Sequence, residues 1–185
     1  VKLTIILTST RPGRVGKTVA DWFHAYAQAN AAGFEIEFAD LQELNLPMLD
    51  EPNHPAMQKY EHEHTKRWSK IVDDSDAFIF VLPEYNYTPP PTFINAVDYL
   101  YNEWNYKPAG FVSYGGISGG IRSTEIAKHL LNTLEMVPIK QQVMIPMVTG
   151  HLEDGTFVPT DIHEKSAQTL LETMARWAKA LKTMR

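Results

Sequence analysis

The 185-residue chain is 44% hydrophobic, which suits one domain spanning residues 1–185 with a buried core. It contains no cysteine, so disulfides, thiolate metal sites and cysteine nucleophiles are excluded, and any redox chemistry must come from a bound cofactor. The net charge of −5 argues against nucleic acid as a partner.

Lys2 to Thr8 reads as a buried strand. No basic stretch precedes it and no run is long enough to span a membrane, so a cytoplasmic protein without membrane contact is expected. Residues 1–20 hold Lys2, Arg11, Arg14 and Lys17 and no acidic side chain. The Pro-Gly loop from Ser9 to Val15 therefore sits in a positive field that suits an anion. Val19, Trp22, Phe23 and Tyr26, at i, i+3, i+4 and i+7, predict a helix to about Ala31.

Alternating Phe34, Ile36 and Phe38 give a second strand, followed by a long connection from Asn45 to Pro55 and a polar helix over Ala56 to Asp73. His62 and His64, two apart on such a helix, would face different ways, so no metal site is expected. The apolar run Ala77 to Leu82 fits a strand buried on both faces. It gives way to the rigid loop Pro83-Glu84-Tyr85-Asn86-Tyr87-Thr88-Pro89-Pro90-Pro91, in which Tyr85 and Tyr87 read as apolar walls with polar tips. Phe93, Val97, Leu100, Tyr101 and Trp104 form the next helical stripe.

Ala109 to Tyr114 is a fourth strand, ending in the glycine loop Gly115 to Gly120. A helix through Ile126, Ala127, Leu130, Leu131 and Leu134 and a fifth strand from Gln142 to Met147 follow, with the methionines expected in the core. The last helix is predicted to start on Asp161 with Glu164 and to bury Ala167, Leu170, Leu171, Met174, Trp177, Ala178 and Leu181.

Five strands alternating with helices imply an α/β fold with a parallel sheet, in one of two doubly wound orders: flavodoxin-like 2-1-3-4-5, or 3-2-1-4-5-6. Gly16-Lys17-Thr18 looks like the end of a phosphate-binding Walker loop, but Arg11 stands where that motif needs its first glycine. Gly13-x-x-Gly16 likewise lacks the first glycine of a dinucleotide fingerprint. Taken alone, the first loop also fits a solvated basic turn, and the glycine loop a tight turn. In the 2-1-3-4-5 order the loops after strands 1, 3 and 4 share one sheet edge, so together they describe one site, with a phosphate end near Arg11 and a planar end between Tyr85 and Gly115.

Thr8-Ser9-Thr10-Arg11, Pro83-Glu84-Tyr85-Asn86 and the glycine loop, in that order, resemble the NADPH-dependent FMN reductase family, which includes quinone, azo-dye and chromate reductases. The resemblance implies that Ser9, Arg11, Arg14, Val15 and Gly16 hold the FMN phosphate. It implies that Pro83, Glu84, Tyr85, Asn86, Gly115 and Gly116 border the flavin ring. Arg14 stands where many members have serine, its charge being expected to replace the hydroxyl, and Thr8 replaces a glycine. The implied activity is an FMN-dependent NAD(P)H oxidoreductase, using NADPH or NADH, that passes two electrons to quinones, similar flat acceptors or free flavin, with no catalytic side chain beyond the flavin N5. An FMN-binding electron carrier and a flavin-free regulatory protein are the alternatives. A homodimer or tetramer is expected from the resemblance and from Tyr99, Tyr101 and Trp104, which exceed one helical stripe.

Overall fold

The computed structural model describes residues 1–185. Its main sheet is parallel, with strands β1 (Lys2–Leu7), β2 (Glu35–Asp40), β3 (Ala77–Pro83), β4 (Pro108–Tyr114) and β5 (Val137–Ile145) in the order β2-β1-β3-β4-β5. This is the flavodoxin-like arrangement, and the order reverses between β1 and β3, where ligands of such sheets bind. β3 and β4 are buried along their whole length because helices cover both faces, which is why β3 reads as an unbroken apolar run and β4 carries one polar side chain, Ser113, bonded to the Gly119 carbonyl.

The helices are α1 (Gly16–Ala29), the single turn α2 (Leu41–Leu44), α3 (Glu63–Asp73), α4 (Pro91–Asp98), α5 (Ile121–Asn132) and α6 (Asp161–Leu181). One apolar cluster joins α1 and α6 to one sheet face through Val19, Phe23, Leu170 and Met174. The other joins α3, α4 and α5 to the opposite face through Trp68, Phe93, Trp104 and Leu131. No helix is long and apolar enough to cross a membrane.

Several boundaries differ from expectation. α3 begins at Glu63 rather than Ala56, because Gln58 takes a left-handed conformation (φ 50°) and the Glu51 carboxylate accepts the N–H groups of Glu61 and His62. His62 thus lies outside the helix, and its ring stacks on His64 at 5.2 Å instead of facing away. His64 Nε2 donates to Asp50 Oδ1 at 3.0 Å and Tyr99 Oη to the same oxygen at 2.8 Å, so the imidazoles brace the long connection rather than decorate a solvated helix.

α4 stops at Asp98, and Trp104 follows in a separate turn whose indole N–H takes the Val97 carbonyl. Tyr99 and Trp104 are fully buried in this chain's own core, so they supply no second surface. β5 starts at Val137, and Met144 and Met147 at its end are exposed rather than core. Ile126 and Trp177 are exposed too. An unforeseen hairpin, β6 (Leu152–Glu153) and β7 (Thr156–Phe157), docks on α1, its Phe157 N–H donating to Thr18 Oγ1. α6 is capped by Thr160, whose N–H donates to His163 Nδ1, and not by Asp161 with Glu164.

Candidate functional site

The loop after β1 is pinned before it turns. Thr8 donates through both N–H and hydroxyl to the Val81 carbonyl, and its own carbonyl accepts from Thr92 Oγ1 at 2.5 Å. The Arg14 N–H closes a turn onto the Arg11 carbonyl at 3.1 Å. The Arg14 guanidinium lines the cleft but already has partners. It donates to Asp40 Oδ1 at 2.7 Å and Oδ2 at 2.5 Å, and also to the Ser9 carbonyl. Arg11 makes no ion pair and is exposed, so it is the free cation at this loop. The first-turn N–H groups of α1 add the partial positive charge of a helix N-terminus.

Gly16 packs so tightly that a Cβ there would lie 2.1 Å from Tyr114 Oη and 2.5 Å from Ser9 Oγ. Ser9 Oγ is buried beside the Tyr114 hydroxyl. Burial pushes the Tyr114 hydroxyl above its usual range, so it stays a protonated donor.

After β3 the chain makes a two-residue reverse turn in which Tyr85 and Thr88 exchange backbone hydrogen bonds at 2.9 and 3.0 Å. Asn86 and Tyr87 both have positive φ (50° and 72°), as type I′ turns require. Pro91 then opens α4 at its first position, where a missing N–H costs nothing. The Glu84 carboxylate turns toward α5, accepting from Ser118 Oγ at 2.9 Å, Arg122 N at 3.2 Å and Arg122 Nε at 2.7 Å. It therefore joins the β3 loop to the glycine loop while Glu84 stays in the cleft lining. Gly116 meets nothing within 4 Å of where a Cβ would stand, whereas at Gly120 (φ 85°) a Cβ would lie 2.9 Å from Ser113 Cβ and from the Tyr114 N. The first leaves room for a ligand's approach; the second is required by packing.

Burial works to raise the Glu84 pKa, but hydrogen bonds from Arg122 and Ser118 outweigh it and hold the carboxyl below the usual range. A carboxyl whose pKa is lower folded than unfolded adds stability above its unfolded value of about 4.3, and loses it as pH falls through the lower folded value. Protection of the amides across residues 84–88, taken relative to their intrinsic exchange rates, is accordingly expected to fall in acid below about pH 4. In Glu84→Gln that protection should already be low at neutral pH and lack the acid step; an acid step that persists would assign it to another group.

The three loops meet in a cleft of about 180 Å³ lined by Arg11, Gly13, Arg14, Val15, Pro83, Glu84, Tyr85, Tyr114, Gly115 and Val148. Seven residues expected at the site are in this lining. Of the others, Ser9 and Gly16 lie behind it against Tyr114, and Asn86 and Gly116 lie on exposed loop positions. The cleft is smaller than the roughly 300–1,000 Å³ of an enclosing pocket, so a flavin-sized guest would keep part of its surface open. Gly13, Tyr114, Val148 and the supporting Asp40 and Arg122 are not among the residues expected at the site. Tyr114 had a signal, being the residue directly before the glycine loop; Asp40 and Arg122 act across the fold and had none.

Residues 1–150 match the model of the family described as NADPH-dependent FMN reductase. The chain is 34% identical over 186 residues to an NAD(P)H-dependent FMN reductase of Nectria sp, covering 97% of this chain and 88% of that one. It is 26% identical over 193 residues to a 2-hydroxy-1,4-benzoquinone reductase of Burkholderia sp, covering 97% of each. Among solved structures it resembles FerB, a flavoenzyme NAD(P)H:(acceptor) oxidoreductase from Paracoccus denitrificans, with a TM-score of 0.75, 21% identity and coverage of 97% and 98%. At that identity the likeness speaks for the fold.

Proposed function

Because the chain belongs to the NADPH-dependent FMN reductase family, we propose that it is an FMN-dependent NAD(P)H oxidoreductase that reduces quinones or similar small, flat acceptors. The observation that carries this reading is the meeting of three loops, after β1, β3 and β4, around one cleft with a free cation at one end and a glycine edge at the other. The overall reaction takes two electrons and a proton from NAD(P)H and a second proton from solvent, giving NAD(P)+ and the hydroquinone.

The residues present fit FMN. Arg11 and the α1 N-terminus offer charge-assisted donors to a phosphate. Pro83 and Tyr85 wall the cleft, and Gly115 and Gly116 let the backbone approach a flat ring. When bound, FMN supplies the two-electron chemistry at N5; the chain holds it, donates hydrogen bonds to it and leaves one side accessible. No side-chain nucleophile is needed. An electron carrier is disfavoured by the reductase relatives.

Arg11→Ala is expected to weaken FMN about tenfold, or ~1.4 kcal/mol, the low end for a charge-assisted bond because the side chain is exposed. Titrating apoprotein with FMN checks this, and unchanged affinity would move the phosphate elsewhere. The reading itself is tested by anaerobic mixing of the FMN-loaded protein with NADPH, then with a quinone. Bleaching by NADPH and recovery by quinone are expected; flavin that stays yellow overturns it.

The proposal includes a homodimer or tetramer in the cytoplasm, where NAD(P)H is the electron source. With Tyr99 and Trp104 consumed by the core, support comes from exposed Met48, Leu49 and Ile94. They are brought together by the Leu49 N–H donating to Asn95 Oδ1 at 2.9 Å and Asn95 Nδ2 to the Pro47 carbonyl at 2.7 Å. Light scattering should give at least twice the 21.0 kDa chain mass, and lower mass in Met48→Lys. A monomeric wild type would remove the assembly and leave the FMN assignment standing.

A further inference from the structure

Tyr87 and Arg122 form a pair that cofactor binding does not explain. The Arg122 guanidinium lies over the Tyr87 ring, 3.7 Å from its centroid. The same guanidinium donates through Nε and Nη2 to Glu84 Oε1, and the Arg122 backbone N–H donates to Oε2, so it cannot swing away without leaving the Glu84 carboxylate short of donors. Tyr87 is held from its backbone as well. Its φ of 72° is one that a residue with a large side chain adopts at a cost, and the paired hydrogen bonds of Tyr85 and Thr88 maintain it.

Despite this double restraint the Tyr87 side chain is 62% exposed. An aromatic ring buried for stability would not be presented in this way. A ring with one face covered by a fixed guanidinium and the rest open is a preorganised plate, which has already lost the freedom that stacking would cost. It stands one turn position from Asn86 and two from Tyr85, whose side chain lines the cleft. An acceptor entering there has two faces, and the one turned away from the cleft floor needs a cover.

We infer that Tyr87 is the stacking plate for planar aromatic acceptors at the mouth of the cleft, and that Arg122 is the residue that positions it. This rests on the oxidoreductase reading above and names the acceptor class it favours: fused-ring quinones over compact, non-planar oxidants. Glu84 then has a second duty, since the carboxylate that ties the β3 loop to α5 also fixes the guanidinium beneath the ring.

Two measurements on FMN-loaded enzyme test the inference. In the first, the oxidised enzyme is titrated with 1,4-naphthoquinone without any nicotinamide, so that binding is read without turnover. Tyr87→Ala should weaken binding about 3- to 10-fold, Tyr87→Phe should leave it near wild type, and Arg122→Lys, which keeps the charge but not the planar stack, should fall between. In the second, steady-state rates with NADPH compare 1,4-naphthoquinone with ferricyanide. Tyr87→Ala should lower the naphthoquinone-to-ferricyanide ratio of kcat/KM by the same factor, through KM rather than kcat. An unchanged Kd and an unchanged ratio in Tyr87→Ala overturn the plate, and an Arg122→Lys protein matching wild type overturns the positioning role. Tyr87-dependent binding by a wild type that oxidises no NADPH would instead overturn the oxidoreductase reading alone.

Discussion

Asp40→Ala is expected to destabilise the protein by about 3–5 kcal/mol, the cost of leaving one partner of a buried ion pair uncompensated. The Asp40 side chain is 1% exposed and that of Arg14 10%, and the two share a bidentate contact. Asp40 also caps α2 by accepting the Gln42 N–H at 2.9 Å, so alanine removes a cap as well. Asp40→Asn separates the two roles, because asparagine caps nearly as well but carries no charge. Arg14→Ala should cost a similar amount through the stranded carboxylate, and the double variant should cost less than the sum, since neither charge remains to be stranded. Urea unfolding of the apoproteins reads all of these directly. An Arg14→Ala protein of wild-type stability that had lost FMN affinity would show the guanidinium serving the phosphate after all.

That pair marks the limit of what could be read from residue order. β3 and β4 were legible because burial on both faces demands a largely apolar run, and their loops because Pro83 and Gly115 end a strand visibly. The sheet order then followed from needing three ligand-capable loops on one edge. What escaped was every role decided by a partner distant in sequence. Arg14 is expected to face a phosphate, but its partner Asp40 lies 26 residues on and nothing local announces it. Glu84 lines the cleft as expected, but its hydrogen bonds to Ser118 and Arg122 were not announced. Tyr99 and Trp104 are surplus to one face only of a helix that continues; it stops at Asp98, and both rings turn inward. His62 and His64 looked divergent for the same reason in reverse, the helix starting seven residues later than its polar pattern suggested. Periodicity locates elements well and their ends poorly, and here the ends decided which side chains were free.

Gly16→Ala is expected to lower FMN affinity about 100-fold, or ~2.7 kcal/mol, within the range for forcing an extra methyl into a packed site. The added Cβ would fall 2.1 Å from Tyr114 Oη and 2.5 Å from Ser9 Oγ, so something must yield at the first turn of α1. Tyr114 is nearly buried and continues into Gly115, so pushing its hydroxyl aside would disturb both the phosphate end and the ring end of the cleft. The clash is specific, which makes it testable by compensation. Tyr114→Phe removes the closer of the two obstructing atoms, so the Gly16→Ala/Tyr114→Phe protein should recover part of the lost affinity, although Tyr114→Phe alone forfeits a hydroxyl at the cleft wall. Fluorescence titration of the four apoproteins with FMN, alongside riboflavin, measures the coupling. Recovery confined to FMN would place the Tyr114 hydroxyl at the phosphate end, while additive losses in the double variant would mean that the glycine is needed for its backbone and not for the room it leaves to Tyr114.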